Sequence, residues 1–111
     1  MSPDSQRPRI PSRVALEKAA ECLRTIGHPT RLKMLMLLDA DAYNVGQVAR
    51  SCGISSHLAS EHLRLMERCG LLARHRVGKE TFYRLAEPAL HDIMSCVVNR
   101  FGSGGTRRRK S

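Results

Sequence analysis

The 111-residue sequence has no apolar run longer than Met34–Leu38, far short of the roughly 20 residues a membrane-spanning helix needs. Its first residues, Met1 to Pro8, contain no apolar h-region, so no secretory signal peptide is expected. The chain is expected in the cytoplasm, with no membrane partner. Cysteines stand at positions 22, 52, 69 and 96 with no Cys-x-x-Cys pair among them. That spacing argues against a zinc knuckle, and free thiols are expected rather than structural disulfides. No carboxylate pair, Ser/His/Asp set or phosphate-binding glycine loop is present, so the expectation is a protein that is not an enzyme. Acids are scarce too: 10 Asp and Glu face 19 Lys and Arg, a net charge of +9. On so small a chain this excess suits a polyanionic partner. The 41% hydrophobic content suffices for one small core, hence one domain.

The charge is unevenly placed. Arg107, Arg108, Arg109 and Lys110 follow the Gly/Ser stretch Gly102–Gly105 with no acid among them. Residues 103–111 are therefore expected to be a flexible basic tail. Residues 1–11, with three prolines, are expected to be a disordered arm. A second basic cluster, Arg74, Arg76, Lys79 and Arg84 against Glu80, falls in a stretch with strand character.

Between arm and tail, residues 12–102 carry a mainly helical pattern. Ser12 is a candidate N-cap, followed at helical spacing by Leu16, Ala19, Ala20, Leu23 and Ile26, with Gly27 as the stop. His28-Pro29-Thr30 starts a second helix that is apolar nearly all round, as a central helix should be. Asp39 to Tyr43 is expected to be a loop. Asn44 caps a short third helix, Gly53 supplies a break suited to positive φ, and Ser55 or Ser56 caps a fourth helix to about Cys69 with Ala59, Leu63 and Met66 inward. Helix, glycine turn, helix is the pattern of a helix-turn-helix. Residues 71–76 and 81–85 then form two strands around a tight turn, a wing. Glu87-Pro88 opens a fifth helix whose apolar positions are Leu90, Ile93, Met94, Val97 and Phe101. The expected architecture is a mainly α winged helix-turn-helix of order α-α-α-α-β-β-α.

Three central helices and a hairpin already make a small core, which leaves the apolar faces of the first and last helices over. Leu16, Leu23, Leu90, Ile93, Met94, Val97 and Phe101 are therefore candidate homodimer contacts. A two-fold dimer sets two reading helices about 34 Å apart on palindromic double-stranded DNA.

The segments Ile26–Leu35, Ser60-Glu61-His62-Leu63, Cys69-Gly70-Leu71-Leu72 and Gly78–Leu85 resemble the ArsR/SmtB family of bacterial winged-helix repressors, a resemblance covering about residues 14–101. It implies a dimeric repressor that leaves its operator when an inducer binds or a thiol pair is oxidised. The fourth helix is then the major-groove reader, offering Ser55, Ser56, His57, Ser60, Glu61 and Arg64. Arg74, Arg76 and Lys79 of the wing are candidate phosphate or minor-groove contacts. Glu61, where similar proteins often carry a polar or basic residue, leaves the operator sequence open. His62 matches a common family histidine and is expected to be buried and hydrogen-bonded.

The family's sensor sites do not carry over. Positions of a Cys-x-Cys metal site at the start of the third helix hold Asn44 and Gly46. A zinc site on the last helix would meet Glu87-Pro88-Ala89 and Arg100. The thiol pair of oxidant sensors falls on Met36 and Gly102. Cys69 resembles one ligand of a cadmium/lead subgroup, but its partner position holds Leu65. Cys22 and Cys96, on the two flanking helices, remain as a candidate thiol switch or soft-metal pair; no cofactor is otherwise implied. The alternative is a winged-helix DNA-binding or protein-interaction module with no small inducer.

Overall fold

The structure, a computed structural model, describes residues 8–102; the basic tail and residues 1–7 of the expected arm lie outside them. Ser12 accepts a 3.2 Å hydrogen bond from the Ala15 amide and begins helix α1 (Arg13–Ile26). His28 begins α2 (Pro29–Ala40) in the same way, its Nδ1 accepting from the Thr30 amide at 3.1 Å, with Pro29 in the first turn where a missing N–H costs nothing. Met34, Leu35 and Leu38 of α2 are fully buried, so this helix is the centre of the core.

The segment expected to be a loop is shorter than the sequence suggests. Helix α2 continues through Ala40, and Tyr43–Asn44 forms a two-residue strand β1 paired with the wing. Asn44 then caps α3 (Val45–Cys52) through a reciprocal box: its side chain accepts from Gln47 N at 2.8 Å, and the Gln47 side chain accepts from Asn44 N at 2.9 Å. Gly53 adopts φ +67° and ends α3, letting Ile54 N reach back to Ala49 O at 3.0 Å. After this turn Ser55 caps α4 (Ser56–Arg68), accepting from Leu58 N at 3.1 Å.

Ala59, His62, Leu63 and Met66 make the buried stripe of α4, the i, i+3, i+4, i+7 spacing of a single helix face. Strands β2 (Leu72–Val77) and β3 (Glu80–Leu85) form an antiparallel hairpin closed at Gly78, and the sheet order is β1-β3-β2. Tyr83 of β3 is buried and anchors the hairpin to the core.

Helix α5 (Ala89–Val97) ends in a π-helical turn, Val98–Gly102. Two of its expected dimer residues need correction. Leu90 and Met94 are 2% and 1% exposed within one chain. One turn apart, they pack inward and complete the core, which is not closed without α5. Leu16, Leu23, Ile93 and Phe101 do stay exposed, joined by Val14 and Val98, while Val97 is half-buried. Only Thr25 and Ile26 of α1 are buried.

Candidate nucleic-acid interface

Because α4 buries Ala59, His62, Leu63 and Met66, its other side carries Ser56, His57, Glu61 and Arg64 outward, with Ser60 half-buried at the edge. His57 Nε2 lies 3.2 Å from Glu61 Oε2, one turn along. Arg64 forms no ion pair among the described residues. Ser55 already spends its oxygen on the Leu58 amide, leaving its hydroxyl hydrogen as the free donor.

In the wing, cross-strand pairing sets Arg74 opposite Tyr83 and Arg76 opposite Thr81. These lie on the same sheet face as the buried Tyr83. Arg74 Nε is 3.2 Å from Glu67 Oε2, so this arginine ties β2 to the end of α4. Arg76 and Lys79 are exposed without an ion pair among the described residues. His75 stacks on Phe82 on the opposite face, with ring centroids 5.8 Å apart, stiffening the hairpin. At the wing tip, Asn44 Nδ2 donates to Glu80 Oε2 at 3.2 Å.

Sequence reasoning missed three cations. Arg50 of α3 joins Lys79 in lining an open cleft between the start of α3 and the wing turn. Its guanidinium lies over Gly46: a Cβ built there would be 3.4 Å from Arg50 Nη1. Arg31 and Arg68 line a second cleft, beside α4. Only tertiary packing brings Arg31 of α2 to α4, so no local periodicity signals it. Arg68, by contrast, is one turn from Arg64 and was legible on the helical wheel.

Arg31 is held at both ends. Its Nε donates to His62 Nδ1 at 3.1 Å and its Nη1 to Thr25 O at 3.2 Å. Burial pushes the His62 imidazolium toward deprotonation, reinforced by Arg31 and His28 and opposed by Glu61. This is the buried, hydrogen-bonded role expected for His62.

The expected Cys22–Cys96 pair draws on a half-buried Cys22 on α1 and an exposed Cys96 on α5. Within one chain the Cys22 Sγ donates to the main-chain carbonyl of Cys69 over 3.7 Å, while Thr25 Oγ1 lies 3.6 Å from Cys69 Sγ. Cys96 is an exposed free thiol on α5. Cys52 packs against the core, and burial raises its pKa against the lowering effect of Lys33. Among the described residues no three His, Cys, Asp or Glu side chains cluster to hold a metal ion.

A two-helix turn element followed by a sheet-anchored hairpin defines a winged helix-turn-helix protein. The family model described as "Bacterial regulatory protein, arsR family" matches residues 28–74. The HTH-type transcriptional regulator YgaV of Escherichia coli is 31% identical over 84 residues, covering 75% of this chain and 85% of that protein. The chain belongs to the arsR family of bacterial regulatory proteins, and is a transcriptional regulator rather than an enzyme. Among solved structures, the transcriptional repressor BigR of Xylella fastidiosa is similar at a TM-score of 0.70 and 27% identity, over 82% of this chain and 97% of that one. The homodimeric winged helix-turn-helix DNA-binding domain Mb0332 of Mycobacterium bovis is similar at 0.73 and 20% identity, over 95% of this chain and 99% of that one.

Proposed function

We propose that the protein is a cytoplasmic repressor that binds a palindromic operator in double-stranded DNA as a homodimer and is released by an inducer. One observation carries this reading: the polar outer side of α4 stands beside a wing whose Arg76 and Lys79 have no acidic partner among the described residues. Ser56, His57 and Ser60 are the base-edge readers, with Glu61 selecting against acidic approach and accepting from a base amine. Ser55, Arg64, Arg76 and Lys79 hold phosphates, and Arg74, through Glu67, sets the wing's angle to α4. Residues 12–102 are the folding unit, and the basic tail adds sequence-blind affinity.

Dimerisation is supported by the apolar side chains that one chain leaves uncovered on α1 and α5, Leu16, Leu23, Ile93 and Phe101, and by the homodimeric relative from Mycobacterium bovis. For release, the candidate chemistry is that of thiols, by reversible modification or a soft metal ion. The candidate pair is Cys22 on α1 with the exposed Cys96 on α5; Cys69, whose main-chain carbonyl accepts from the Cys22 thiol at 3.7 Å, is a second candidate.

Selection of genomic fragments by the purified full chain tests the reading. The expected product is an inverted repeat with half-site centres about 34 Å apart; no enrichment, or sites without symmetry, overturns it. Titration with Ag(I), Cd(II), As(III) and a persulfide donor, followed by DNA release, tests the thiols. Release from wild type that is abolished in Cys22→Ser with Cys96→Ser assigns the pair; no response in wild type, or an unchanged response in that variant, ends the thiol reading.

A further inference from the structure

Between α2 and α4 lies an open cleft of about 400 Å³ whose walls include Arg31, Arg64, Arg68, Glu61 and His62. The cleft is lined by three arginines and one carboxylate, Glu61, whose Oε2 lies 3.2 Å from His57 Nε2. None of the three arginines has an acidic partner within 4.0 Å among the described residues.

Arg31 differs from an ordinary surface arginine. It is half-buried, and both of its hydrogen bonds go to neutral acceptors, the His62 ring and a main-chain carbonyl. These bonds fix the guanidinium plane without neutralising it. A guanidinium has five N–H donors, and these contacts use two of them. The rest belong to a half-buried charge on a side chain whose orientation is already fixed. Such a group binds an oxyanion at little further entropic cost. Leu58 and Leu65 also line the cleft. Arg64 and Arg68, one turn apart on α4, supply exposed cations at the rim.

We propose that Arg31, Arg64 and Arg68 form a phosphoryl oxyanion site in which Arg31 is the pre-set fork and the two α4 arginines close over the anion. On the DNA-binding reading above, on which this source depends, the anion is a backbone phosphate at the edge of the groove that α4 reads. The same chemistry admits a free phosphate, and the experiment separates the two.

Affinity of the full chain for its selected duplex is measured between about 50 and 200 mM salt, for wild type, Arg68→Gln and Arg31→Lys. Melting of each protein with and without inorganic phosphate, at constant ionic strength, is the second arm. It also reports whether a variant is folded. A DNA source predicts that Arg68→Gln lowers the salt slope by about one at unchanged melting temperature, and that Arg31→Lys weakens binding although charge is kept. A free-phosphate source predicts phosphate-dependent stabilisation of wild type, abolished in Arg68→Gln, with the salt slope unchanged. An unchanged slope together with no phosphate response overturns the site. If wild type binds no duplex at all, the DNA reading falls, and the phosphate arm alone decides the site.

Discussion

Arg31 donates from Nε to Nδ1 of His62 across 3.1 Å, and this contact fixes a protonation state. An arginine cannot accept a hydrogen bond, so Nδ1 must present its lone pair and the ring is neutral with its proton on Nε2. Protonation of Nδ1 would set two donors face to face beside a guanidinium and the ring of His28, 5.1 Å away.

Stability should therefore depend on pH through His62. Its pKa in the fold lies below the ordinary 6.5, so as pH falls below that value the unfolded chain takes up this proton first. The contribution is complete above the ordinary value and is lost as pH falls toward the lowered one. Urea unfolding across pH 5 to 8 should show wild type losing stability more steeply than His62→Gln, by up to about 1.4 kcal/mol per pH unit. Glutamine keeps an acceptor for Arg31 but does not titrate. Parallel pH profiles would remove His62 from this role.

The wing carries a prediction on salt. Replacing Arg76 and Lys79 together by alanine should reduce the salt slope of DNA binding by about one for each phosphate that is no longer neutralised. Arg74→Ala should act differently. Arg74 is paired with Glu67 at 3.2 Å, so its removal should loosen the wing and lower affinity, with a smaller change in slope than the Arg76/Lys79 variant. Equal slope changes would make Arg74 a direct phosphate ligand.

The exposed and buried parts of the flanking helices should separate in mutants. Leu23→Lys, at a side chain 60% exposed, should leave the secondary structure intact and convert a dimer to a monomer in analytical ultracentrifugation. Met94→Ala, at a side chain 1% exposed, should instead cost about 2–5 kcal/mol of folding stability. A dimeric Leu23→Lys would place the interface elsewhere.

The helix-turn-helix turn rests on backbone conformation alone. Apart from its own and its chain neighbours' atoms, no heavy atom lies within 4 Å of a Cβ built at Gly53, yet its φ is +67°. Gly53→Ala should then cost about 1–2 kcal/mol from left-handed strain without any clash. Gly53→Asn should cost less, because asparagine tolerates that region. A thermal melt of the two variants checks the order.

Much of this was legible in advance because the signals are local. Ser12, Asn44 and Ser55 are caps by residue type and position, and Gly53 marks a left-handed turn. The inward stripe of α4 follows from spacing. What escaped was non-local. A two-residue strand such as Tyr43–Asn44 has no period to detect, and only its pairing with β3 makes it a strand. On α5 the apolar stripe was visible, but its division into core (Leu90, Met94) and uncovered residues (Ile93, Phe101) depends on where α2 lies. The same holds for Cys22, whose neighbour is 47 positions away, and for Arg31, whose partner is 31 positions away.

Asn44 ends β1, caps α3 and reaches the wing through Glu80. One short side chain thus rivets sheet, helix and hairpin into a single stiff reading head. On the proposed function, a signal that swings one head against its twin by a few degrees, at the helices that join them, would carry both out of step with the pitch of the duplex.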